Sequence, residues 1–119
     1  MSRALARFTV THGACRIRVR VLPTDFDVDS DLRAGARPRR DGKLHPAFFQ
    51  PPGERDAHDG TIVLAANARL TELVPHEVSH AVIHRYGVVE SCADEPVATA
   101  IGLISARIFD RLRRLGVTP

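Results

Sequence analysis

Two histidines and one glutamate stand at a spacing that favours metal chemistry. Residues 76–80 read His-Glu-Val-Ser-His, which is an HExxH pattern. In an α-helix, residues i and i+4 lie one turn apart on the same face, so His76 and His80 can direct two imidazole nitrogens at one ion. Glu77 lies beside the pair and is free to act on a water molecule. We therefore predict a Zn²⁺ site with His76 and His80 as ligands and Glu77 as the catalytic residue.

The residues around the motif predict the helix that must position it. Apolar residues recur at helical intervals on one face, and the histidines fall outside that face. The apolar set is Leu70, Leu73, Val74, Val78, Ala81 and Val82. Proline cannot donate a backbone hydrogen bond, so this helix begins either near Thr71, with Pro75 early in it, or at Pro75 itself.

A second helix is predicted to supply the third ligand. Asp94-Glu95-Pro96 is typical of a helix start, and an apolar stripe follows it: Val97, Ala98, Ile101, Ile104, Ile108 and Leu112. Acidic residues also favour a helix N-terminus through the helix dipole, so a purely structural role stays open. Two histidines and one carboxylate make a three-ligand zinc set with an open position for water. We predict Glu95 as that ligand, ahead of Asp94, Glu90 and His84.

The rest of the chain predicts a small sheet. Strands near Arg7–Thr11 and Ala14–Leu22 flank a turn at His12-Gly13, and a short helix follows over Asp25–Ala34, with Thr24 and Asp27 as its start signal. Gly60–Ala66 reads as another strand. The predicted fold class is α+β: a small, twisted, mostly antiparallel sheet packed against the motif helix and a following C-terminal helix. We expect residues 36–59 to be a flexible loop, interrupted only by Lys43–Phe49 as a short strand or binding edge.

Length and composition indicate one domain over residues 1–119, since 44% of residues are hydrophobic. Cys15 and Cys92 are too few for a disulfide framework, which favours a reduced, cytoplasmic setting. No apolar run is long enough to span a bilayer, and the first ten residues lack the features of a signal peptide. We therefore expect no membrane association.

Arginine dominates the positive charge, since sixteen of the 17 basic residues are Arg and the net charge is +3. Arg16, Arg18 and Arg20 alternate with apolar residues, which predicts a strand with one buried face and one solvated face. A second basic cluster spans residues 37–40. Neither cluster carries aromatic residues suited to stacking bases. A nucleic-acid partner is therefore an alternative that the composition allows but does not favour.

The motif and its flanks resemble the zincin metallopeptidases, and among them small gluzincin-like enzymes. The matching pieces are Gly60–Ala66, Leu73–His84 and Glu95–Ala98, all in the second half of the chain. The chain does not resemble a metzincin, because Tyr86 stands where the third histidine of that pattern would be. Size and arginine content also resemble compact zinc proteases of phage or mobile-element origin.

The resemblance implies one Zn²⁺ per chain, held by His76, His80 and Glu95, and hydrolysis of a peptide or protein substrate with Glu77 as general base. It further implies that an extended substrate pairs with an edge strand. That strand would be Thr61, Ile62, Val63, Leu64 and Ala65. Tyr86 or His84 is a candidate for stabilising the oxyanion, and Asp94 for the surroundings of the metal.

Two other classes of function remain open from the sequence. In the first, zinc joins two helices of a catalytically silent protein-interaction module, and Glu77 is dispensable. In the second, the protein is a basic nucleic-acid-binding regulator whose affinity falls steeply with salt.

Overall fold

Four strands and three helices make up the described part of the chain. The computed structural model describes residues 4–34, 44–87 and 95–118. The elements are β1 (Ala6–His12), β2 (Cys15–Leu22), α1 (Asp25–Ala34), β3 (Ala47–Gln50), β4 (Thr61–Ala65), α2 (Leu70–Tyr86) and α3 (Glu95–Arg114). The predicted α+β class is confirmed. None of the helices in the described ranges is long and apolar enough to cross a bilayer.

The strands form one mixed sheet in the order β1-β2-β4-β3. β1 and β2 are antiparallel, as are β3 and β4, whereas the central β2 and β4 are parallel. The prediction that Thr61–Ala65 is an edge strand is therefore wrong, because β4 is hydrogen-bonded on both sides. Its side chains explain the interior position: Ile62 and Leu64 are fully buried on one face, and Val63 and Ala65 on the other. A strand that is apolar on both faces belongs inside a sheet.

The predicted hairpin at the start of the chain is confirmed, but its turn lies at residues 13–14 and not at His12-Gly13. His12 lies opposite Cys15, so the turn has two residues, and Gly13 takes a positive φ of 57° that suits such a turn. Phe8 and Val10 of β1 are buried with Ile17, Val19 and Val21 of β2 on the face that carries α2 and α3.

Helix α1 begins as the sequence predicts and covers part of the other face. The Thr24 hydroxyl accepts a hydrogen bond from the Asp27 backbone N–H at 3.2 Å, and the Asp27 carboxylate accepts one from the Thr24 N–H at 3.1 Å. This reciprocal pair is a capping box. Val28 then packs with Leu22, Val63 and Ala65 in a second, smaller core.

Helices α2 and α3 pack on the first face and on each other. α2 contributes Leu70, Val74, Val78, Ala81 and Val82, all fully buried. α3 contributes Val97, Ala100, Ile104, Ile108 and Leu112, whereas the predicted stripe residue Ala98 is exposed. Because α2 begins at Leu70, Pro75 lies inside the helix, as in the first of the two predicted starts.

The segment predicted as a flexible loop includes one short strand and a hydrogen-bonded turn. Residues 36–43 lie outside the described residues, but β3 occupies residues 47–50, in agreement with the short strand allowed there. The turn that follows is held by hydrogen bonds between Gly53 and Asp56. His58 accepts a hydrogen bond from the Gly60 N–H through Nδ1 at 3.0 Å. Apart from β3, residues 44–59 contain no strand or helix, and the flexibility of this segment stays a prediction.

Candidate active site

Helix α2 brings the two motif histidines together on its solvent side. The Nε2 atoms of His76 and His80 are 3.2 Å apart, and their ring planes are 79° from parallel. Both side chains are exposed, because Val74, Val78 and Ala81 fix the opposite side of the helix in the core. The sequence-predicted positions of His76 and His80 outside the apolar face are confirmed.

The separation of the histidine nitrogens fits a shared zinc ion. Two nitrogens that each lie about 2.0–2.1 Å from one tetrahedral ion are roughly 3.3–3.4 Å apart. The observed 3.2 Å lies close to that range. Imidazole nitrogens are also the donor type that Zn²⁺ prefers in proteins. The chemistry and spacing of this pair therefore fit a zinc ion without rearrangement of the helix.

Glu77 stands beside the histidine pair as a buried carboxyl group. Its side chain is 9% exposed, and its Oε2 lies 3.9 Å from His76 Nε2. Burial raises the pKa of Glu77, and the positive charge of protonated His76 and His80 opposes that rise. Glu77 is the single carboxylate among the buried residues of α2. A poorly solvated carboxylate next to a metal position is suited to accept a proton from water.

The third ligand remains a prediction. In residues 4–34, 44–87 and 95–118, no third His, Cys, Asp or Glu joins His76 and His80 in a group that could hold a metal ion. His84 is thus not placed as a ligand. Glu95 is the first residue of α3, which packs against α2, but its side chain lies outside the described part. Asp94 and Glu90 also lie outside the described residues.

A cleft opens beside the histidine pair, between α2 and β3. Its volume is about 470 Å³. The α2 wall consists of Glu77, His80, Ile83 and His84, and the other wall of Ala47, Phe48, Phe49 and Pro51. The His84 and Phe49 ring centroids are 5.8 Å apart. Tyr86 does not line this cleft, and its ring instead lies 5.7 Å from Arg85 Cζ.

Strand β3 presents a backbone edge to the cleft. Its described strand partner is β4, with Ala47 opposite Leu64 and Phe49 opposite Ile62. The Pro46 carbonyl accepts the Ala65 N–H at 2.9 Å, which identifies 46 and 65 as a hydrogen-bonded pair. Hydrogen-bonded pairs alternate along an antiparallel ladder. The N–H and C=O groups of Ala47 and Phe49 therefore point away from β4, toward the edge.

Three contacts that the sequence did not predict fix this wall of the cleft. Arg85, near the end of α2, pairs with Asp59 through Nε and Oδ1 at 3.2 Å. The Asp59 Oδ2 atom also accepts the Arg16 backbone N–H at 2.7 Å. Gly60 then lies directly under the Phe49 ring, where a Cβ atom would overlap it. These contacts join the segment before β4 to α2 and to β2.

No protein-family model, curated protein or solved structure matches the chain. The geometry of the site is therefore the basis for inferring a function.

Proposed function

We propose that the chain is a zinc-dependent metallopeptidase that hydrolyses peptide bonds, with Glu77 as general base. The observation that supports the proposal is the convergence of the His76 and His80 Nε2 atoms beside a buried Glu77, at the opening of a cleft with a β-strand edge. Burial of a carboxylate costs free energy, and a purely structural histidine pair would not require it. A buried carboxylate beside such a pair is therefore typical of a functional site.

His76, His80 and Glu95 would hold one Zn²⁺ per chain, within a zincin-like arrangement of sheet and helices. When bound, the ion lowers the pKa of a water molecule toward about 7 and polarises the carbonyl of the scissile bond. Glu77 accepts the proton of the attacking water and donates it to the leaving nitrogen. His84 extends from α2 into the same cleft, where its ring can donate a hydrogen bond to the carbonyl oxygen as charge develops.

The substrate is an extended segment of a peptide or protein that pairs with β3, not with β4. The outward N–H and C=O groups of Ala47 and Phe49 supply backbone hydrogen bonds that do not depend on side-chain sequence. Phe49, Pro51 and Ile83 make the adjoining part of the cleft apolar. We therefore expect cleavage next to a large apolar side chain, in otherwise varied sequences.

Metal content measured by mass spectrometry tests the ligand set. Wild-type protein and Glu77→Gln should each carry about one zinc, whereas His80→Ala and Glu95→Ala should lose it. His84→Ala is the matched control, because it removes a histidine one turn further along the same helix and should keep the zinc. Retention of zinc by Glu95→Ala, with loss in Glu90→Gln or Asp94→Asn, would move the third ligand to that residue. Wild-type protein that does not bind zinc would refute the proposal.

Cleavage of a peptide library separates an enzyme from a silent zinc-binding module. Glu77→Gln should abolish cleavage while it retains zinc, and both observations together identify Glu77 as general base. Zinc-loaded wild-type protein that cleaves no peptide or unfolded protein would favour the silent module. For a cleaved peptide, N-methylation of one backbone nitrogen that pairs with β3 should lower kcat/KM about five- to tenfold, because a hydrogen bond contributes roughly 1 kcal/mol.

A further inference from the structure

One half of the sheet has a basic face that no helix in residues 4–34, 44–87 and 95–118 covers. α1 packs against β2, β3 and β4 but makes no contact with β1. On this face, β1 exposes Arg7, Thr9 and Thr11, and β2 exposes Arg16 and Arg18. We refer to these five residues as the arginine face. It lies on the opposite side of the sheet from α2, so it is separate from the cleft.

The strand register sets the spacing of these side chains. Thr9 lies opposite Arg18, and Thr11 lies opposite Arg16. Arg7 lies opposite Arg20, at the border with α1. Alternate residues of a strand are about 6.6–6.8 Å apart, and residues that face each other across strands are about 4.5–5.5 Å apart. The arginine face is therefore a grid in which Arg16 and Arg18 are neighbours along β2 and each faces a threonine of β1.

The arginines of this grid are not neutralised by the fold. The Asp31 carboxylate lies 3.0 Å from the Arg20 guanidinium and balances its positive charge. By contrast, Arg7, Arg16 and Arg18 form no side-chain ion pair with residues in the described ranges 4–34, 44–87 and 95–118. Three like charges held close together repel one another, and an anionic partner relieves that repulsion.

We propose that the arginine face binds the phosphate backbone of duplex DNA without reading its sequence. Guanidinium and hydroxyl groups are common donors to phosphate oxygens. Single-stranded nucleic acid is usually bound by aromatic side chains on which bases stack, and this face carries none. A protein partner would need an apolar centre to bind stably, and the grid contains only Arg and Thr.

The proposal concerns a second binding function, which does not depend on zinc or on peptide hydrolysis. Three phosphate contacts give a slope of about −2.7 for log affinity against log salt concentration. Affinity should accordingly fall about 40-fold between 50 and 200 mM salt. This slope is measured on the wild-type protein and requires no variant.

Fluorescence anisotropy with a labelled 20-base-pair DNA duplex tests the face. Arg16→Gln/Arg18→Gln should weaken binding at least tenfold at 50 mM salt and bring the slope to about −0.9. The matched control is Arg113→Gln/Arg114→Gln, which removes the same net charge from α3, where both arginines pair with Asp110. The control should bind within twofold of wild type. Circular dichroism verifies that both variants are folded, as expected for exposed side chains.

Four outcomes would overturn the proposal. They are no saturable binding to the duplex at 50 mM salt, equal loss of affinity in the two double variants, tighter binding to the single strand than to the duplex, and equally tight binding of poly-glutamate. The second outcome would attribute binding to net charge alone. The fourth would identify an acidic protein surface as the better partner.

Discussion

Gly60 provides a direct test of how the cleft wall is built. Its φ of +126° lies in a region that residues with a side chain rarely adopt. A Cβ atom at this position would also lie 2.7 Å from Phe49 Cζ and 2.8 Å from the Gln50 carbonyl oxygen. Gly60→Ala must therefore strain the backbone and displace the aromatic ring that forms part of the cleft.

The two costs can be separated with other glycines. The backbone strain is about 1–2 kcal/mol, and the overlap adds about 1–3 kcal/mol because a packed ring has to move. Gly13 also has a positive φ, but nothing lies within 4 Å of an added Cβ, so Gly13→Ala should cost about 1 kcal/mol. Gly102 lies inside α3 with open space around it, and Gly102→Ala should stabilise the protein by about 0.5–1 kcal/mol.

Urea unfolding and thermal melts of the three variants provide the measurement. Gly60→Ala should lower the free energy of unfolding by about 3–4 kcal/mol, which corresponds to roughly 15 °C in Tm for a domain of this size. In a Phe49→Ala background, the cost of Gly60→Ala should fall by at least 1 kcal/mol, because the ring is no longer displaced. Equal costs for Gly60→Ala and Gly13→Ala, or an unchanged cost without Phe49, would refute the packing of Phe49 on Gly60.

Three further predictions concern buried or paired groups. Burial raises the pKa of Glu77 above its usual value of 4.5, so the folded state holds this proton more tightly than the unfolded chain does. In zinc-free protein the free energy of unfolding should therefore fall as the pH rises above about 4.5. Glu77→Gln should accordingly melt at a higher temperature than wild type at about pH 7 but not at about pH 3. Cys15 is fully buried, and its pKa is raised by burial and by Asp59 against the lowering effect of Arg85. Iodoacetamide at pH 8 should therefore alkylate Cys15 only in urea, as read by peptide mass spectrometry, and native labelling would contradict its burial. A double-mutant cycle of Arg85→Gln and Asp59→Asn in urea unfolding should give a coupling of about 0.5–1 kcal/mol, whereas zero coupling would mean that the pair does not anchor α2.

Features with local causes could be predicted from the sequence. The capping box of Thr24 and Asp27 marked the start of α1, and the alternation of apolar residues and arginines marked β2. The i, i+4 spacing placed His76 and His80 on one face of α2. The residues of each signal lie close together in the sequence, so each signal can be recognised without knowledge of the rest of the fold.

The order of the strands could not be predicted in the same way. Strands β2 and β4 are separated by residues 23–60 in the sequence, and no local pattern specifies that they pair. One signal was nevertheless present. Ile62 to Ala65 is a continuous apolar run, which is typical of a strand buried on both faces, and it argued against an edge position.

The two tertiary supports of the cleft depend on contacts distant in sequence. No sequence motif relates Arg85 to Asp59, which form an ion pair in the folded protein. Only the fold explains why Gly60 lies against the Phe49 ring. Asp29 is another example, since this nearly fully buried carboxylate contacts the His45 backbone and ring at 3.2 Å. No local pattern relates Asp29 to His45, which lies 16 residues further along the chain.

The parallel pairing of β2 and β4 has a consequence for the order of events during synthesis. The β1–β2 hairpin closes through a two-residue turn, but β4 joins it only across residues 23–60, which costs more loop-closure entropy and time. A nascent chain that emerges at about 5–20 residues per second thus forms the hairpin well before β4 can order β3. The groove of the proposed peptidase would then assemble only after β4 and α2 have left the ribosome, so the unfolded segments made before them would not meet a formed active site.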